Sequence, residues 1–117
     1  ITVVYNGEKF IKDCIQSVLA QDYPHIEYIV IDGASTDQTL QIVNQYHNQI
    51  HHFRSEKDNG IYDAINKGLA LATGDVVGIL NADDMLASST IITEIVNFLK
   101  HTNYNTASFR LTSRFAT

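Results

Sequence analysis

The sequence holds a single cysteine, Cys14, in 117 residues. That excludes an internal disulfide and any zinc site built from cysteines. It suits a reducing, cytoplasmic setting. Basic residues are scarce: eight Lys and Arg stand against thirteen Asp and Glu, for a net charge of −5. A protein that grips a nucleic-acid backbone needs a basic stripe, so no nucleic-acid partner is expected. An anionic small ligand is not excluded, because a bound cation can neutralise its phosphates. No apolar run is long enough to span a bilayer, and no signal-peptide pattern is found. The chain opens on Ile1 rather than Met, and its first strand reads as one whose start has been cut away. Familiar fingerprints are missing too. There is no G-x-x-x-x-G-K-[ST], no G-x-G-x-x-G and no G-x-S-x-G, which removes the P-loop, the dinucleotide fingerprint and the α/β-hydrolase elbow. His47, His51 and His52 lie close together, but no nearby Cys or carboxylate completes a zinc set. They read as helix-end and strand residues.

What is present is an ordinary globular composition, 44% hydrophobic and 18% charged, of a size for one domain. Ile1 to Val4 is an apolar, β-branched run that reads as a buried strand, broken by Asn6-Gly7. Phe10, Ile11, Cys14, Ile15, Val18 and Leu19 recur at helical spacing and predict a helix over 8–20, with Cys14 in the core. Ile26 to Ile31 predicts a second buried strand ending at Asp32. Ser35 and Gln38 have the spacing of a capping box, which predicts a helix starting there with Leu40, Val43 and His47 inward, flanked by Ile42 and Tyr46. Residues 50–54 (IHHFR) suggest a short strand, and 55–60 a polar loop. Ile61, Ile65 and Leu69 share one stripe of a helix over 61–72, with Gly74 as its C-terminal cap. Val76 to Leu80 predicts another buried strand. Ser88 to Lys100 predicts a last helix with Ile92, Ile95, Val96 and Leu99 inward. The final stretch, NYNTASFRLTSRFAT, reads as one more strand and a frayed end. Strands alternating with helices predict an α/β domain with a mainly parallel sheet.

In an open parallel sheet, ligands bind outside the carboxyl ends of the strands. Three strands here end in polar residues: at Tyr5-Asn6, at Asp32, and at Asn81-Ala82-Asp83-Asp84. The loop with Asp58, Asn59 and Gly60 precedes a helix and opens at the same edge. Each motif has a plain reading: Asp32 as a cap for the following helix, Asn6-Gly7 and Asp58-Asn59-Gly60 as turns, and Asp83-Asp84 as a solvated helix start. Their convergence on one rim favours a ligand. A carboxylate pair behind a rigid strand suits a hard divalent cation, Mg²⁺ or Mn²⁺, completed by substrate phosphates.

The stretch VVYNGEKFIKDCIQSVLAQDYPHIEYIVIDGASTDQTL resembles the opening of family 2 glycosyltransferases with the GT-A fold. That family pairs an apolar strand and Tyr-Asn turn with a Ser-Val-x-x-Gln helix end, then a strand, an Asp and Ser-Thr-Asp. EKDNGIYDAINKGLALATGDVVGILNADD continues the likeness into the family's DXD region. The wording around IDGAS and NGIYDAINKG is nearest to bacterial enzymes that build surface polysaccharides. The resemblance implies a Rossmann-like domain over residues 1–117 that binds a nucleotide diphosphate sugar. Val3 and Tyr5 would line the nucleoside pocket, Asp32 would hold the base or its loop, and Asp58 and Gly60 would form the rim. Asp83 would touch the donor, and Asp83 and Asp84 would hold Mg²⁺ or Mn²⁺. The acceptor would be a hydroxyl on a glycan or a lipid-linked acceptor, with the protein in the cytoplasm or at the cytoplasmic face of the membrane. Two positions depart from the pattern. Gly33 stands where many members have a second Asp, and Asn81 replaces the first acid of DXD. The acceptor half and the catalytic base are expected beyond Thr117, and a sheet cut short there would expose an edge and favour self-association. Two other readings stay open: a non-catalytic nucleotide-binding module and a nucleotidyltransferase, though the latter would want a basic, Gly-rich loop where YNGEKF stands.

Overall fold

The computed structural model describes residues 1–102. The strand expected within 103–117 lies outside them. Four parallel strands form one sheet: β1 (Thr2–Val4), β2 (Ile29–Asp32), β3 (His52–Ser55) and β4 (Leu80–Asn81), in the order β3-β2-β1-β4. The helices are α1 (Ile11–Leu19), α2 (Thr39–Asn44), α3 (Ile61–Leu71) and α4 (Ile91–Thr102), with a 3₁₀ turn at His47–Gln49. The mainly parallel α/β architecture expected from the sequence is the one found.

Alternation along the strands sorts the core into two faces. Val4 and Val30 point to one side, where Ile11 and Ile15 of α1 and Val43 of α2 are buried against them. Val3, Ile29 and Ile31 point to the other, where Ala64 of α3 packs. Burying each such branched side chain contributes about 1.5–3 kcal/mol. Cys14, Leu80 and Leu86 form a third cluster with Ile91 and Ile92. Beneath β1, the Thr2 hydroxyl and the Tyr28 hydroxyl hydrogen-bond at 2.8 Å, and burial pushes the Tyr28 phenol well above its ordinary range.

Several elements are shorter than their hydropathy suggested. Strand β2 starts at Ile29 rather than Ile26: Ile29 pairs with His52, the first residue of β3. Strand β4 is only Leu80–Asn81, paired with Thr2 and Val3. Val76 and Val77, expected in a buried strand, are exposed. Helix α1 begins at Ile11, after a turn that hangs from the Gly7 carbonyl. On α3 the inward face belongs to Ala64 and Gly68, whereas Ile61 and Leu69 are 46% and 45% exposed. Small residues win that face because they let the helix approach the sheet closely. Helix α3 ends at Ala72 in extended backbone, so Gly74 is not its cap; the Thr73 N–H and hydroxyl both donate to Glu27 at 2.8 Å. On α2, Thr39 and Val43 are inward and His47 is exposed.

From β1 the chain steps outward to β2 and β3, then returns through α3 to place β4 on the other side of β1. The strand order therefore reverses between β1 and β4. A reversal of this kind opens a crevice at the carboxyl ends of the strands.

Candidate functional site

The crevice is there, with a volume of about 590 Å³, in the range of small-ligand pockets. Val3 and Tyr5 line it from β1, Asp58 and Gly60 from the loop before α3, and Asn81 and Asp83 from the turn after β4. Phe10 and Ile61 add apolar wall. Among the described residues its lining holds two carboxylates and no Lys, Arg or His.

Each side chain is placed by local chemistry. After β4, the Asp84 N–H donates to the Asn81 carbonyl at 2.9 Å, closing a tight turn with Asn in its favoured first position. Within that turn Ala82 is buried and its N–H donates to the Val3 carbonyl at 3.1 Å, tying the turn to β1. Asp83 faces the crevice, while Asp84 is half-buried and lies outside its lining. Gly60 caps α3 with φ +110°, a backbone that side chains disfavour, and its N–H donates to Asp58 Oδ1 at 3.1 Å.

Asp32 does not reach the crevice. It is fully buried, and its carboxylate accepts from the Ser35 N–H at 2.9 Å, the Ser35 hydroxyl, and the Ser55 hydroxyl at 2.8 Å. Ser35 is therefore not a helix cap, and the expected capping box does not form. The N-cap of α2 is Gln38, and Asp37 just before it accepts from the Thr39 N–H at 2.9 Å. Burial alone would raise the Asp37 carboxyl, but the Thr39 hydroxyl, the Thr39 N–H and the Glu8 N–H hold it below its ordinary value of 3.8.

Two hydroxyl relays knit the loops after β1 and β2. The Asn6 N–H donates at 2.7 Å to the Ser35 oxygen, whose own proton goes to Asp32. The Gly7 N–H donates at 2.9 Å to the Thr39 oxygen, whose proton goes to Asp37. Asn6 Oδ1 accepts the Thr36 N–H at 2.8 Å. The geometry forces left-handed backbone on Asn6 and Ala34, at about 1–2 kcal/mol for a residue such as Ala. The Ser-Thr-Asp run at 35–37 carried this signal, which helix spacing alone masks.

Does the site suit a divalent cation? Among the described residues no three His, Cys, Asp or Glu side chains surround a common point. The available donors are carboxylate oxygens on one rim, the donor type Mg²⁺ and Mn²⁺ prefer. Such ions keep several waters and take one or two carboxylates plus phosphate oxygens, so a full protein cage is not needed. The donor set fits on those terms.

Comparison with known proteins follows the same lines. A family model described as glycosyl transferase family 2 matches residues 1–116. The Bacillus subtilis protein TuaG, named for a glycosyltransferase of teichuronic acid biosynthesis, is 41% identical over 87 residues, 72% of this chain and 34% of TuaG. A PGL/p-HBAD biosynthesis glycosyltransferase of Mycobacterium tuberculosis is 34% identical over 89 residues, 74% of this chain and 35% of that protein. Staphylococcus aureus TarS, solved with UDP-GlcNAc, superposes with a TM-score of 0.80 at 30% identity, covering 87% of this chain and 30% of that one. The mannosyltransferase PcManGT of Pyrobaculum calidifontis, solved with GDP-Man and Mn²⁺, gives 0.77 at 28% identity, covering 84% and 30%. The chain spans about a third of the length of these relatives.

Proposed function

Because the chain belongs to glycosyl transferase family 2, we propose that residues 1–117 form the nucleotide-sugar-binding domain of a metal-dependent glycosyltransferase. The complete enzyme moves a sugar from a nucleotide diphosphate sugar to a hydroxyl on a glycan or lipid-linked acceptor, in bacterial polysaccharide synthesis. The observation that carries the metal dependence is the charge of the crevice. Asp58 and Asp83 line it, and among the described residues no basic side chain lines it to meet a diphosphate. Two negative groups at contact distance repel, and more strongly as water is excluded. A divalent cation at Asp83, with Asp84 as the second carboxylate, reverses that sign. When bound, such an ion neutralises the diphosphate as a leaving group. The complexes of relatives with UDP-GlcNAc and with GDP-Man and Mn²⁺ support the same assignment.

The chain's own residues do the rest of the binding. Tyr5 is 65% exposed at the crevice and offers a ring face to a base or sugar. Val3 and Phe10 supply the apolar floor and wall. Val76 and Val77, exposed just ahead of β4, the last strand on that side among the described residues, support self-association of the isolated chain. Among the described residues no helix is long and apolar enough to cross a membrane. Acceptor activation is assigned to a carboxylate elsewhere in the full enzyme.

Titration calorimetry with nucleoside diphosphates, with and without Mn²⁺, tests the reading. Binding should require Mn²⁺ or strengthen at least about tenfold with it, a change of about 1.4 kcal/mol. No metal-dependent binding by any of them would sink it.

A further inference from the structure

Strand order arranges the rim. Asp83 follows β4 at one end, Tyr5 follows β1, Gly33 follows β2, and Asp58 follows β3 at the other end. At about 4.8 Å between neighbouring strands, the rim is roughly 14 Å long. A nucleotide with its diphosphate beside Asp83 lays its base toward Gly33 and Asp58.

There the structure makes an exchange. A Cβ built on Gly33 would fall 2.8 Å from Asp58 Oδ2 and 3.3 Å from its carboxyl carbon. The Asp58 carboxylate thus occupies the space that a side chain at 33 would take. Its Oδ1 accepts the Gly60 N–H, and no described residue donates to Oδ2. The loop around it is fastened on both sides. The Asn59 N–H donates to Asp63 Oδ2 at 3.0 Å. Lys67 Nζ donates to the Lys57 carbonyl at 3.1 Å and lies 3.3 Å from Glu56 and 3.6 Å from Asp63. The backbone on either side of Asp58, at the Lys57 carbonyl and the Asn59 N–H, is therefore held by Lys67 and Asp63 of α3.

Resting on the nucleotide reading above, we propose that Asp58 selects the base, and that Lys67 and Asp63 are positioning residues that aim it. An ionised carboxylate only accepts hydrogen bonds. It matches a base whose ring edge presents N–H: N3–H of uracil or thymine, or N1–H and the 2-amino group of guanine. Cytosine and adenine present a ring nitrogen lone pair at that edge, which the carboxylate repels. Discrimination by such a mismatch is built from repulsion as much as attraction.

The test is competition calorimetry on the 117-residue chain with Mn²⁺ and UDP, GDP, CDP or ADP. UDP and GDP should bind roughly ten- to a hundredfold tighter than CDP and ADP, the scale of one hydrogen bond to a charged group. Asp58→Asn offers both donor and acceptor and should shrink that gap to within about threefold. Gly33→Ala should shrink it too, by driving its Cβ into the Asp58 carboxylate. Lys67→Met should narrow the gap and Lys67→Arg should restore it. A purely structural Lys67 would weaken all four nucleotides equally, which would overturn its positioning role. Equal binding of all four by the unaltered chain would overturn base selection while leaving the nucleotide reading standing. No binding by any would overturn both.

Discussion

Asp32 and Asp83 are the same residue at comparable places, each just behind a parallel strand of one sheet, and their fates are opposite. Asp32 ends β2 fully buried, its oxygens filled by two serine hydroxyls and a backbone N–H. Asp83 stands exposed in the turn after β4 and lines the crevice. The difference lies in the neighbours. Strand β2 runs between two strands, with Ser35 and Ser55 within reach of its end. Among the described residues strand β4 is a two-residue strand at the end of the sheet order, and its following turn lines the crevice. One carboxylate is locked inside the fold; the other stands at the surface of the crevice.

Three changes sharpen that contrast, in descending order of effect. Asp32→Ala strands the N–H and hydroxyl of Ser35 in a buried site, while the exposed Ser55 hydroxyl turns to water. It should cost about 3–5 kcal/mol in urea unfolding, since each unmet buried donor costs about 1–3 kcal/mol. Asp83→Ala, measured in the same way, should stay within about 1 kcal/mol of the unaltered chain. Equal losses at the two positions would erase the distinction. Acid gives a smaller effect. Asp37 and Glu27 are both held below their ordinary values: Asp37 against the pull of burial by the hydrogen bonds from Thr39 and Glu8, and Glu27 mainly by the Thr73 N–H. A depressed carboxyl stabilises the fold fully above its ordinary value, 3.8 for Asp37 and 4.5 for Glu27. That contribution fades as pH falls through the lower folded value. The urea midpoint should therefore drop between about pH 6 and about pH 3, and drop less in Asp37→Asn. An unchanged difference between the two chains would show that Asp37 carries no such linkage.

Much of this architecture is legible in the residues. Ile1 to Val4 and Ile29 to Ile31 are β-branched, mostly apolar runs, so they announce buried strands. The order of elements then fixes the parallel sheet, and the strand-end rule places Tyr5, Asp58 and Asp83 on one rim. Less legible is whatever depends on a partner. Strand β4 pairs only at Leu80 and Asn81, and Val76 and Val77 stand exposed ahead of it despite their apolar signal. Ala64 and Gly68 win the inner face of α3 by size, while Ile61 and Leu69 carry the stronger apolar signal. The Ser35 hydroxyl looked available to cap a helix, but the buried carboxylate of Asp32 makes the stronger demand. Gly33 reads in sequence as a lost carboxylate; in space Asp58 stands in its place.

The central claim is that Asp83 and Asp84 hold the cation through which an acidic crevice accepts a diphosphate. It is tested most directly by measuring UDP and GDP affinity with and without Mn²⁺ for the unaltered chain and for the Asp83→Ala, Asp84→Ala double variant. The double variant, folded by circular dichroism, should bind no more tightly with Mn²⁺ than without it, and the unaltered chain should gain at least about tenfold from the metal. A double variant that keeps the full gain would contradict the account.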